Sequence, residues 1–353
     1  MSRRTVAGLL AIGLIAVLVA IAASRPVPYV TLRPGPTLDV LGDYGGKKII
    51  AITGHQTYAD DGQLRMLTVY QSGPDDKLSL IEVLSGWASR ETAVVPRSAV
   101  FGKNETNKTV QQESAVQMSS SQDNATASAL RAVGIAFKTQ VVVGSTVKGA
   151  PAYGVLLPGD VVTSVDGKPT TDAATLVKQV RAVAPGQPVS VTVLRKGATR
   201  TFSLKTVSAA GDPKSARIGV QPGERYVFPF KVQVRLGSNI GGPSAGMMFS
   251  LSIYDLLTPG SLTGGRTIAG TGEISGDGVV GPIGGIAQKL VGAQRDGARL
   301  FLMSDENCAE AARSYYDHSK MLLLKVHTLA EAIKAVTTWR TDPTSASLPR
   351  CTR

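Results

Sequence analysis

Two short stretches hold the residue types that acyl-transfer chemistry needs. Residues 241–246 read GGPSAG and lead into MMFSLSIYDLL, so Ser244 stands between a proline and small residues at the start of a helical pattern. Gly241, Gly242 and Pro243 keep the approach irregular, because glycine is too permissive and proline lacks a donor. Met248, Leu251, Ser252 and Asp255 then fall on successive turns. A hydroxyl at that point faces the free N–H groups and the positive dipole end of a helix, which favour a developing oxyanion. An ordinary N-cap serine occupies the same place. The second stretch, 268–297, reads IAGTGEISGDGVVGPIGGIAQKLVGAQRDG. It predicts a strand, a Gly-rich turn and a helix with Ile286, Leu290 and Ala293 on its apolar stripe and Gly297 at its C-cap. Lys289 lies at the edge of that stripe. Half desolvated there, its amine moves towards the pKa a general base needs; a lysine keeping its ammonium in water fits the same position.

Taken together, GPSAG, TGE at 271–273 and PIGGIAQK ending at Lys289 resemble the proteolytic domain of the Lon proteases. The resemblance implies Ser244 as nucleophile and Lys289 as its base, a Ser–Lys variant of triad logic. It implies Thr271 as the hydroxyl that orients the lysine, and the backbone N–H groups of Ser244 and Ala245 as oxyanion donors. Gly241 stands where many of those proteases carry an aspartate. The three histidines, His55, His318 and His327, are scattered, so no Ser–His–Asp set is arguable and no HExxH zinc motif exists. No metal or cofactor is expected. No GxxxxGK[ST] phosphate loop occurs in the 353 residues either, so proteolysis without ATP is expected.

The elements that must position these residues follow from the rest of the chain. Its length suits two domains, and 43% apolar residues with many Gly and Pro suit a globular α+β protein. Lys plus Arg number 38 against 26 Asp plus Glu, an excess of 12 that favours anionic lipid or cell-surface polymer, or solubility alone. No nucleic-acid-reading motif is present. Residues 5–23 are uncharged and about as long as one bilayer-spanning helix, with Arg3 and Arg4 before them. A transmembrane anchor over 1–25 is therefore expected, N-terminus cytoplasmic and bulk outside. A cleaved signal peptide, cut at Ala20-Ile21-Ala22, is the alternative. Outside the cytoplasm, Cys308 and Cys351 invite a disulfide that would staple the tail 342–353; two free thiols are the other reading.

Residues 26–128 open with a proline-rich connector, then KKIIAITGHQTYADDGQLRMLTVYQ, which reads as two strands around a turn at Asp60-Asp61-Gly62. The pair resembles the opening strands of a Lon proteolytic domain. The polar stretch 102–128 fits a loop or an amphipathic helix equally. Residues 129–207, with LLPGDVVTSVDGKP, a helix pattern at 172–183 and a hairpin turning at Lys196-Gly197, resemble a bacterial PDZ domain. That implies a peptide added as a strand beside a helix, its carboxylate held by a Gly-apolar-Gly-apolar loop. Gly134-Ile135-Ala136-Phe137 is the nearest match to such a loop. Strands again precede and follow Ser244, so the remaining proteolytic domain is placed at 212–341 with the PDZ module inserted. The whole resembles the membrane-anchored, PDZ-containing Lon-like proteases. The implied partners are peptide or protein substrates selected by the PDZ domain, the membrane, and further copies of the chain in a homo-oligomer. A catalytically silent PDZ scaffold is the competing class.

Overall fold

The computed structural model describes residues 2–59, 61–237 and 239–351, apart from the side chains of 20–22 and 24. The chain divides into two compact units, one made of 1–135 with 230–353 and the other of 136–229. The smaller unit overlaps the PDZ-like insertion expected at 129–207.

In chain order, the larger unit starts with helix α1 (Arg3–Ser24) and the short strand β1 (Pro26–Val27). The side chains of 3–19 are all exposed. Among the described residues no helix is long and apolar enough to cross a membrane. The expected spanning anchor is thus not found among the described residues. The side chains of the alternative cleavage site at 20–22 lie outside the described residues.

Strands β2 (Tyr29–Asp39), β3 (Ile50–Thr53), β4 (Gln63–Gln71) and β5 (Leu78–Ser79) follow, then helix α2 (Leu80–Ala88) and strand β6 (Ala93–Pro96). The polar stretch left open between loop and helix is part of a long helix, α3 (Asn107–Val133). Its buried residues, from Met118 to Leu130, cluster in the C-terminal half. The two strands expected to form a hairpin around Asp60-Asp61-Gly62 are present but do not pair; β4 lies between β2 and a later strand. Asp60 itself lies outside the described residues.

The smaller unit holds β7 (Lys138–Thr146), β8 (Val161–Val165), helix α4 (Ala173–Arg181), β9 (Pro188–Arg195), β10 (Ala198–Lys205) and β11 (Val220–Val227). The strands form an antiparallel sheet in the order β10-β9-β8-β7-β11. Alternation is clear in β9, where Val189, Val191 and Val193 are fully buried while their neighbours are not. The predicted turn closes the β9–β10 hairpin with both Lys196 and Gly197 at positive φ, as a type I′ loop requires.

Back in the larger unit come β12 (Lys231–Val234), helix α5 (Gly246–Leu257), β13 (Thr267–Gly270), helix α6 (Ile286–Arg295), β14 (Leu300–Ser304), β15 (Leu322–Val326) and helix α7 (Leu329–Thr341). The main sheet has the order β15-β14-β13-β4-β2-β6. It is parallel from β15 to β4 and antiparallel from β4 to β6. β12 pairs with β3 in a separate ribbon, which is why β3 leaves β4. Helix α6 connects the parallel neighbours β13 and β14 and packs Ile286, Leu290 and Ala293 into a core with Leu67, Ala269, Phe301 and Leu323. Helix α5 is buried on nearly every side, with Met247, Met248, Phe249, Leu251 and Ile253 unexposed, so its start is fixed within the fold.

Candidate active site

Ser244 precedes helix α5 by one residue: Ala245 is the helix's N-cap, and no side chain caps it. The ordinary capping role is therefore vacant, and the hydroxyl points to another partner. Lys289 Nζ donates to Ser244 Oγ at 2.8 Å and to Thr271 Oγ1 at 2.8 Å. Thr271 in turn donates from Oγ1 to the Ser244 carbonyl at 2.9 Å. Three residues from three elements thus close on one another, with the lysine amine at the junction.

Each is held by its own element. Thr271 extends β13, its N–H donating to the Leu302 carbonyl of β14 at 2.9 Å. Lys289 lies in the first turn of α6, where side chains lean back towards the helix N-terminus. The far end of α6 is pinned by Asp296, which accepts from Thr37 Oγ1 and, at 3.0 Å, from Arg65 of β4. The Ser244 backbone is tied across to the Thr271 loop, because Gly272 N–H donates to the Ser244 carbonyl at 2.9 Å and Met247 N–H to the Gly272 carbonyl at 3.1 Å. Among the described residues, the N–H groups of Ser244 and Ala245 donate to no protein acceptor. The following N–H, that of Gly246, is used by the Pro243 carbonyl at 3.2 Å.

Lys289 is only 3% exposed. Burial pulls its ammonium down from 10.5 to about 7, against an opposing pull from the Glu273 charge. The positive end of α6 acts in the same direction as burial. The structure does not leave Lys289 beyond the reach of Glu273, but no ion pair joins them among the described residues. Partial desolvation raises the Glu273 carboxyl above its usual range, and the lysine charge works against that rise. An amine that is neutral near pH 7, hydrogen-bonded to a serine hydroxyl, is able to take that hydroxyl's proton.

Sequence reasoning missed a brace on the nucleophile loop. Ser121 of α3, 3% exposed, donates from Oγ to the Pro243 carbonyl at 3.0 Å, and the Ser114 carbonyl accepts from Gly242 N–H at 3.0 Å. A Cβ at Gly241 would stand 2.8 Å from Ser114 Cβ, and Gly242 has φ +85°. Gly241 is therefore required by the close approach of α3, and Gly242 by its left-handed backbone. Cys308 and Cys351 are joined in a disulfide, with Cα atoms 5.5 Å apart.

The loop expected to hold a peptide carboxylate, Gly134 to Phe137, lies where α3 ends and β7 begins. Gly134 is the left-handed cap of α3, and Ile135 N–H donates back to the Leu130 carbonyl at 2.8 Å. The strand they lead into, β7, is covered on both sides by β8 and β11, so no strand can be added to it. Phe137 meets Tyr226 and Phe228 at the far end of β11, and Ala136 stands beside it in sequence. The edges of this sheet are β10 and β11, and α4 lies beside β11. Between β11 and α4 opens a groove of about 730 Å³ lined by Ala173, Ala174, Val177, Lys178, Arg181 and Pro222 among others. The loop entering β11 is Arg217-Ile218-Gly219, with Gly219 at φ +75° and its carbonyl accepting from Val147 N–H at 2.9 Å. A Gly flanked by apolar Ile218 and Val220 was the signal available in the sequence.

Comparison with known proteins finds two families along the chain. Residues 114–206 match the PDZ domain family, and residues 234–337 match the Lon protease (S16) C-terminal proteolytic domain. The chain is 28% identical over 157 residues to the Lon protease of Rickettsia bellii, covering 44% of this chain and 20% of that protein. It is 30% identical over 164 residues to the Lon protease of Azorhizobium caulinodans, covering 45% and 19% respectively. The chain thus spans about a fifth of the length of these curated relatives. A crystal structure of the PDZ domain of an SdrC-like protein from Listeria monocytogenes matches 23% of this chain and 85% of its own, at 21% identity and TM-score 0.22. The protein therefore combines a PDZ domain with a Lon-type proteolytic domain in a mixed α+β fold.

Proposed function

We propose that the protein is a serine endopeptidase in which Ser244 and Lys289 form the catalytic dyad. The observation that carries this reading is the 2.8 Å contact from the buried Lys289 amine to the Ser244 hydroxyl. In its neutral form the amine accepts the Ser244 proton as Oγ attacks a peptide carbonyl, then passes that proton to the leaving amine. Thr271 holds Nζ in line through its own bond to the lysine. The unengaged N–H groups of Ser244 and Ala245 receive the oxyanion of the tetrahedral intermediate. Water, deprotonated by the same lysine, then releases the acyl group. Every proton movement is carried by these groups, so the chemistry needs neither ATP nor a metal.

Substrate selection is assigned to the groove between α4 and β11, where a peptide would pair with the free β11 edge. The site of action is the outer face of a membrane, with the N-terminus on the cytoplasmic side. Supporting it are a helix α1 that is apolar all round, with exposed Leu9, Leu10, Ile12 and Leu14, and a disulfide suited to an oxidising compartment. An activity-based serine probe should label the wild type at pH 8 and leave Ser244→Ala unlabelled. Equal labelling of both, with equal turnover of a casein-like substrate, would remove Ser244 from the mechanism. A correctly folded wild type that never takes the probe would favour the silent scaffold.

A further inference from the structure

Helix α2 presents an apolar face that the rest of the chain does not cover. Ile81, Leu84 and Trp87 lie three residues apart on one side of it and are 62%, 50% and 55% exposed. Its other side is packed: Val83 is fully buried, and a Cβ at Gly86 would stand 2.6 Å from Val94. The helix is firmly started by a capping box, Ser79 with Glu82, so this face is displayed on a rigid element. Trp87 is fixed further by an edge-on contact with Tyr29, ring centroids 5.6 Å apart.

The position of α2 says what covers it. Strand β1, two residues beyond α1, pairs with Leu78–Ser79 immediately before α2, so α2 begins where α1 joins the fold, and the two helices approach one another. Helix α1 is apolar around its whole circumference and its described side chains are exposed, a pattern that calls for an apolar medium outside the chain. Exposed cations bracket α2: Arg25 before β1, Lys77 before β5, Arg90 two residues after the helix, and Arg33 close enough to act on Glu82. The neighbouring carboxylates are engaged within the fold: Glu82 by Ser79, Asp75 and Asp76 by Asn107 and the Gly73 N–H, and Glu91 by Arg295. An aromatic and two aliphatic side chains rimmed by cations form the pattern of a helix lying in the headgroup layer of an anionic bilayer.

We propose that α2 docks its Ile81-Leu84-Trp87 face into an anionic lipid surface and so holds the proteolytic unit against the membrane beside α1. This rests on the membrane placement given above, and the test separates the two. The protein has two tryptophans, Trp87 and the buried Trp339, so a Trp87→Phe variant supplies the background of the second. The full chain is mixed with vesicles of phosphatidylcholine and phosphatidylglycerol bearing brominated acyl chains, and flotation is measured alongside fluorescence. The expected result is that the chain floats, Trp87 emission shifts to the blue, and most of it is quenched by the brominated lipid. An Ile81→Glu/Leu84→Glu variant should still float through α1 while Trp87 escapes quenching. If the wild type floats with Trp87 unquenched and open to iodide, the α2 contact is wrong and the membrane placement survives. Trp87 shielded from iodide yet untouched by brominated lipid would mean a protein partner, such as a second copy, covers the face and overturns the proposal. A full chain that does not float at all removes the membrane placement and this inference together.

Discussion

In the proposed mechanism Lys289 couples catalysis and stability through a single proton. Unfolded, the amine holds its proton to about pH 10.4; folded, it releases it near 7 because burial penalises the charge. Activity should therefore rise with pH through a midpoint near 7, and Lys289→Arg should be inactive at every pH tested, since guanidinium does not give up its proton. Between those two values the unfolded state binds more protons, so folding stability rises with pH, by about 1.4 kcal/mol per unit at most. Lys289→Met lacks that penalty. It should melt above the wild type at pH 7 in calorimetry, with the gap closing as pH approaches 10. Glu273 modulates the same proton, because its charge favours the ammonium. Glu273→Gln should move the midpoint of the kcat/KM profile to lower pH, while an unchanged midpoint would mean that solvent screens the carboxylate. The chemical pair was legible in the sequence because each member sits in a compact motif at the start of a helix. The two-fold use of the Ser244 carbonyl by Thr271 and Gly272 was not, since it depends on how β13 lies against α5.

At the scale of elements, the nucleophile loop depends on a helix more than a hundred residues upstream. Helix α3 reads as an undistinguished polar run, and nothing in Ser114 or Ser121 signals a role until α3 is packed against α5. The GG pair before Pro243 did signal something, but its cause, the approach of Ser114, is a tertiary fact. Gly241→Ala tests it: the new methyl would overlap Ser114 Cβ and push the loop from Lys289. We expect kcat to fall by about tenfold or more, equivalent to about 1.4 kcal/mol, with KM for a short peptide and the melting temperature little changed. A matching loss of melting temperature would place the effect in the fold instead. The peptide groove teaches the same point. Alternation and turn residues identified the strands of the smaller unit, but whether a strand is an edge is a property of sheet order. That order leaves β11 at an edge and puts β7 inside the sheet, which the residues Gly134 to Phe137 do not reveal by themselves.

At the scale of the molecule, the tail and the inserted unit each make a separable contribution. The Cys308–Cys351 bond closes a 43-residue separation, and Cys351 N–H donates to the Leu323 carbonyl of β15 at 3.0 Å. Cys351→Ser should lower the stability of the oxidised protein by about 2–4 kcal/mol and should do nothing to the already reduced one, which denaturant melts with and without reductant would show. The inserted unit has its own core, built on Val141, Val162, Val191 and Leu156, so it is equipped to fold without lending residues to the dyad. Its removal should therefore be tolerated if its task is to select. Replacing 136–229 by a Gly/Ser linker between Ile135 and Phe230 should leave cleavage of a short unstructured peptide near the wild-type rate. Cleavage of a protein substrate should fall strongly, because such a substrate depends on capture at β11 to reach Ser244 at a useful local concentration. The comparison is sharp because, of the two elements that flank the cut, α3 braces the Ser244 loop through Ser114 and Ser121 and β12 leads into it. Equal loss on both substrates would show that the unit holds those elements in place and that its groove is incidental to catalysis.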